Sequence, residues 1–171
     1  RRIGLVTSQN DGISSIKERK KGFYDGLAAN SLPVFDECVV QLKVDSIQVT
    51  GKIIEEKNIK HISNYLREHP EIDSLVCLES GFLPDIYAAC KNLGMKIPED
   101  IAVCSFDEDS SASTGFYFTH VKQDELAIAE KAMELIDAML SGKSNVEITN
   151  YKIPGIFKVG RSTGTKNQEK V

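Results

Sequence analysis

"IPEDIAVCSFDEDSS", residues 97–111, decides how this chain is read. A run of apolar, β-forming residues from Ile101 to Phe106 passes directly into Asp107, Glu108 and Asp109. Acids at the end of a buried strand suit a metal site, a catalytic carboxylate, a helix cap or a ligand clamp. The surrounding sequence narrows the choice.

Working outward, the same unit of apolar run and amphipathic segment recurs. "RIGLVT" (2–7) reads as a strand, and "SSIKERKKGFYDGLAAN" (14–30) as a helix with Ile16, Phe23 and Leu27 near helical spacing. Ser14 or Ser15 is expected to cap that helix, with Glu18 completing a capping box. "PVFDECVV" (33–40) reads as the second strand. Residues 47–70 read as mostly helical, stopped by Pro70. "SLVCLE" (74–79) is the third strand, and 81–95 a helix with Pro84 in its first turn and Gly94 at its end. Residues 101–106 are the fourth strand.

Such alternation predicts an α/β fold: a parallel sheet flanked by helices on both faces. Ligands of such sheets bind at the carboxyl ends of strands, beside a topological switch point. Thr7-Ser8-Gln9, Glu79-Ser80 and Asp107 all fall at such ends. Beyond them come a polar loop, a short aromatic strand "FYFTHV" (116–121) and a helix over 123–142. Its stripe is Ala127, Ala132, Leu135, Ile136 and Met139, and Gly142 ends it. Asp124 and Glu125 favour its N-terminus. Residues 146–157 read as extended.

Composition bounds the function. A chain of 171 residues is enough for one domain with a real core. The net charge of −4 gives no broad basic surface for nucleic acid. No apolar run approaches the ~20 residues needed to cross a bilayer. The opening residues lack the long apolar segment of a signal peptide, and it is the unpaired cysteines that favour a cytoplasmic location. Cys38, Cys77, Cys90 and Cys104 have no CxxC spacing and read as small buried thiols in a reducing compartment. "DEDSSASTG" lacks the spaced oxygens of a Ca²⁺ loop, so no metal is expected.

No catalytic residue and no cofactor is expected. The chain has no GxSxG, P-loop or GxGxxG. His61 and His69 read as solvated surface imidazoles, and His120 stands near Asp124 in sequence without a nucleophile. Arg19, beside Lys20 and Lys21, reads on charge alone as part of a wet helix face.

Four segments in order change that weighing: "RRIGLVTSQNDGISSIKERKKGFYDGL", "IDSLVCLESGFLPDIYAACKNLGMKIPEDIAVCSFDEDS", "FTHVKQDELAIAEKAMELIDAMLSG" and "YKIPGIFKVGRST". Together they resemble the effector-binding region of the LacI/GalR family of transcription regulators, which is related to periplasmic sugar-binding proteins. The resemblance implies a periplasmic-binding-protein-like (type I) lobe over 1–121. It implies a crossover helix over 122–145 that packs on a first lobe, a return segment over 146–163, and a flexible tail over 164–171. It implies a small-molecule effector, a carbohydrate by class, a homodimer, and operator DNA bound through a headpiece outside this chain. Arg19 matches the family arginine that binds ligand hydroxyls or carboxylates, and Asp107 the family aspartate that binds hydroxyls. Position 79 matches an asparagine in many members, with an aspartate following, where this chain has Glu79-Ser80. The expected ligand-binding residues are Arg19, Asp107, Glu79, Ser80, Ser8 and Ser14. The alternative on the same fold is a sugar-binding protein of a transport system.

Overall fold

The computed structural model describes residues 1–9, 12–35, 37–43, 56–107, 114–141 and 150–164. Among them are strands β1 (Ile3–Ser8), β2 (Val39–Leu42), β3 (Ser74–Cys77), β4 (Ala102–Phe106), β5 (Thr119–Lys122) and β6 (Ile156–Lys158). The helices are α1 (Ser14–Ala29), α2 (Glu56–Glu68), α3 (Leu83–Asn92) and α4 (Glu125–Leu140). The strands form one sheet in the order β2-β1-β3-β4-β5-β6. Every pairing is parallel except β5 with β6.

Side chains alternate across a strand, so β1 feeds two cores. Leu5 packs with Ile16, Phe23 and Leu27 of α1 and with Leu78. Its neighbour Val6 points the other way, among Leu75, Ile62, Leu66, Leu83 and Ile86 beneath α2 and α3. Helices therefore cover both faces, and this is why the strands are apolar throughout rather than alternating. Burying each such Leu or Ile contributes about 1.5–3 kcal/mol.

Several local readings need correction. Neither Ser14 nor Ser15 caps α1. Ile13 holds the N-cap position, with φ −84° and ψ 121° and no side-chain cap; both serines already lie inside the first turn. The second strand begins at Val39, not at Pro33. Cys38 N–H bonds back to the Phe35 carbonyl at 3.1 Å, so a turn occupies the segment before it, where Pro33 has no N–H for a ladder. The fifth strand starts at Thr119. Phe116 and Phe118 instead stack with each other at 5.0 Å and with Tyr87 of α3. Of the helix expected over 47–70, residues 47–55 lie outside the described residues; the rest forms α2. The residues expected to be extended over 146–149, and Gly142, also lie outside them.

Helix α3 carries Pro84 in its first turn and ends at Gly94, φ +69°. Gly94 N–H bonds Lys91 O and Met95 N–H bonds Cys90 O, the paired closing bonds of a glycine-terminated helix.

The "GRST" residues fasten the last strand to the sheet. A Cβ on Gly160 would collide with the backbone of Tyr117 and Phe118, so glycine is required there. Buried Ser162 donates from Oγ to Val103 O (2.6 Å) and accepts from Thr119 N–H (2.8 Å), bridging β4 and β5. Arg161 donates to Gly115 O and lies over the Phe116 ring.

Asp124, expected only to favour the N-terminus of α4 by its charge, caps it outright, accepting from Ala127 N–H at 3.1 Å. The helix ends at Leu140, with Ser141 as its C-cap. None of its residues is buried. Leu126, Met133, Met139 and Leu140 are 64–83% exposed.

Candidate functional site

Strand β1 has β2 on one side and β3 on the other. The chain leaves β1 for β2 and then returns across it to β3, so the strand order reverses at β1. The carboxyl ends of β1 and β3 flank that switch point, where an open α/β sheet leaves a crevice.

Arg19 reaches this end from α1. It stands three residues after Ile16 and four before Phe23, the buried stripe of the helix, so it lies on the sheet-facing side. Its side chain is only 18% exposed, against 68% for Lys21, which pairs with Asp25 on the wet face. The guanidinium lies over the Phe106 ring, 4.8 Å from its centroid. It donates from Nη1 to Leu78 O (2.6 Å) and from Nη2 to Asp107 Oδ2 (2.8 Å). The charge reading of Arg19 as one of a solvated trio is thus overturned by its position.

Asp107 follows β4 with φ +62°, a left-handed conformation that aspartate tolerates better than most residues. Its N–H still bonds Val121 O at 2.9 Å, next along from the Phe106–Val121 pair of the ladder. Its carbonyl accepts from Ser105 Oγ at 3.2 Å. The turn is held in place while the side chain swings toward Arg19. Gln123 donates from Nε2 to Asp107 Oδ1 at 3.1 Å. Each carboxylate oxygen therefore has a protein donor, and each keeps acceptor capacity.

Glu79 follows β3. Its Oε2 accepts from Ser8 N–H (2.7 Å) and from Thr7 Oγ1 (3.3 Å), crossing from β3 to β1 at the switch point. Its own carbonyl accepts from Cys77 Sγ. Ser8 Oγ is buried with no hydrogen-bond partner among the described residues. Ser80 opens a short 3-10 turn, Ser80–Phe82, that leads into α3.

Of the expected residues, Arg19 meets Asp107, and Glu79 meets Ser8. Ser80 is adjacent through the chain. Ser14 is exposed in the first turn of α1 and, among the described residues, makes no side-chain hydrogen bond to the others. Gln123 and Phe106 join the constellation without having been singled out for it, and Thr7, expected at a strand end, bonds Glu79 there. Gln123 had a usable signal: it stands one residue past the carboxyl end of β5.

The other candidates resolve differently. His120 is 1% exposed, with Nδ1 against Phe118 O at 2.9 Å, while Asp124 caps α4; they form no dyad. His61 is exposed. His69 is not the solvated imidazole expected: its side chain is 15% exposed and sits 3.0 Å from Glu37 and 3.6 Å from Glu71. Cys38, Cys77 and Cys90 are buried and Cys104 is half-buried. Burial pushes the Cys77 and Cys90 thiols up to about 12, so neither is a ready nucleophile. No group of three His, Cys, Asp or Glu suited to a metal occurs among the described residues; Glu108 and Asp109 lie outside them. No helix among the described residues is long and apolar enough to cross a membrane. A groove of about 590 Å³ runs along the flanks of α2 and α3, lined by residues such as Lys60 and Arg67. It contains none of the strand-end residues.

Comparison with known proteins accords with this arrangement. The profile of the periplasmic binding protein-like domain matches residues 1–163. The HTH-type transcriptional regulator GalR of Escherichia coli (strain K12) is 23% identical over 158 residues, covering 92% of this chain and 43% of that protein. The chain thus spans less than half the length of this curated relative. Among solved structures, the transcriptional regulator CelR-cellobiose complex superposes with a TM-score of 0.72 at 19% identity, covering 95% of this chain and 47% of that one. A LacI family transcriptional regulator from Enterococcus faecium with bound ribose gives 0.71 at 18% identity, covering 95% and 56%. The chain belongs to the periplasmic binding protein-like domain family.

Proposed function

We propose that this chain is the ligand-receiving part of a transcription regulator whose DNA affinity responds to a small polyhydroxylated molecule, a carbohydrate by class. The observation that carries the reading is the Arg19–Asp107–Gln123 constellation at the carboxyl end of the sheet. A guanidinium and a carboxylate side by side supply donors and acceptors together, and adjacent sugar hydroxyls need both. Phe106 holds the guanidinium plane from below. The Asp107 side chain is 35% exposed, so the pair is open to a ligand.

On this reading a first lobe closes over the ligand from the other side and covers the bare face of α4. Closure then alters how a dimer presents its DNA-binding headpieces. A ligand does this only by binding one lobe arrangement better than the other. A cytoplasmic location belongs to the same reading.

Fluorescence anisotropy tests it. The intact protein is titrated onto labelled DNA from upstream of its own coding sequence, with and without a panel of free sugars. Binding whose midpoint shifts with one sugar supports the reading. Absence of DNA binding together with tight sugar binding would assign the chain to solute capture instead.

A further inference from the structure

The strand ends carry more negative charge than the Arg19–Asp107 pair uses. Arg19 pairs with Asp107 and donates its other bond to the Leu78 carbonyl, one residue before Glu79. The Glu79 carboxylate has no Lys, Arg or His within ion-pair distance among the described residues. Two carboxylates and one guanidinium leave the constellation one negative charge in excess. Both contacts to the Glu79 carboxylate fall on Oε2, from neutral donors of β1. The Oε1 atom has no protein donor among the described residues.

We infer that the effector carries an amino group and that Glu79, held in place by Ser8 N–H, selects it. The inference rests on the carbohydrate reading above and specifies the class as an amino sugar. A neutral hydroxyl can donate one hydrogen bond to a carboxylate, whereas an ammonium donates three and cancels the excess charge. The ammonium would donate to Glu79 Oε1, while the sugar hydroxyls meet Arg19, Asp107 and Gln123. Glu79 repels sugar phosphates and sugar acids, because among the described residues no cation stands beside it to offset a second negative charge.

Titration calorimetry on the intact protein, at slightly acidic pH where the amine is charged, tests this with matched pairs. The probes are D-glucose with D-glucosamine, D-galactose with D-galactosamine, and D-mannose with D-mannosamine. At least one amino sugar should bind about tenfold or more tightly than its neutral partner, the worth of a charge-assisted hydrogen bond over a neutral one. Glu79→Gln keeps an acceptor for Ser8 N–H and removes the charge. It should lower amino-sugar affinity far more than neutral-sugar affinity and so erase that preference. A wild-type protein that binds the neutral member equally or better overturns the inference and leaves the carbohydrate reading standing. So does an equal loss for both members in Glu79→Gln with an unchanged melting temperature; Glu79 would then only tie β3 to β1. Failure of every sugar to bind would remove the carbohydrate reading itself, and this inference with it.

Discussion

Helices α1 and α4 each run for 16 residues, yet α1 buries Ile16, Phe23 and Leu27 while α4 buries no side chain. By sequence α4 is the richer in large apolar residues. Leu126, Ile128, Met133, Leu135, Ile136, Met139 and Leu140 lie along it. The pattern of a helix states which face wants cover; only the neighbouring elements state whether cover exists. For α1 the cover is the sheet, and the reward is twofold: a core, and an arginine held at the strand ends. For α4 the described neighbours supply a cap from Asp124 and a contact of Lys131 with the Tyr151 ring, and little else.

The contrast can be broken first at the buried end. Ile86→Ala empties a fully buried position beneath α3 and should destabilise the chain by about 2–5 kcal/mol, measured by urea unfolding. A loss below ~1 kcal/mol would mean that the α2–α3 face is not packed as described.

Ser162→Ala should come next. It leaves Val103 O and Thr119 N–H without their buried partner, at a cost of about 1–3 kcal/mol. Hydrogen exchange should then speed up in β6 and at Thr119 before it does in β1.

Alkaline pH gives a third, smaller effect. Burial raises the Cys77 and Cys90 thiols from 9.0 to about 12. Above pH 9 the unfolded chain releases these protons and the folded chain keeps them, so stability falls as pH rises from about 9 toward 12. Each thiol contributes a slope of at most ~1.4 kcal/mol per pH unit. Tyr65, also raised by burial, adds to the fall above its ordinary value. Unfolding midpoints measured across this window should decline, and the Cys77→Ala/Cys90→Ala variant should decline less steeply.

The smallest effect sharpens the contrast from the exposed side. Met139→Lys should change the stability of this chain by less than ~0.5 kcal/mol, because Met139 is 67% exposed. In an intact two-lobed protein the same change should be clearly destabilising. Equal, negligible effects in both would mean that nothing covers α4.

What the sequence showed and what it hid follow one physical line. Strand and helix order was legible because apolar period is local. The strand-end rule also located Glu79 and Asp107 on one edge of the sheet, whereas Arg19, on α1, was singled out only by the family resemblance. The partners were not legible. The left-handed turn at Asp107 depends on its ladder bond to Val121, and the reach of Gln123 depends on β5 lying beside β4. Both are contacts between segments that are distant in sequence. The cap of α1 misled because two serines stood where the pattern wanted one, and the helix began a residue earlier. His69 misled because its two carboxylate neighbours come from separate loops.

The central claim is that Arg19 and Asp107 form one ligand site. Titration calorimetry of Arg19→Ala and Asp107→Ala in the intact protein, with the sugar that binds wild type most tightly, tests it most directly. The account predicts that each variant loses about 1.5–3 kcal/mol of binding free energy, the worth of a hydrogen bond to a charged group, while remaining folded. Unchanged affinity in both variants would contradict it.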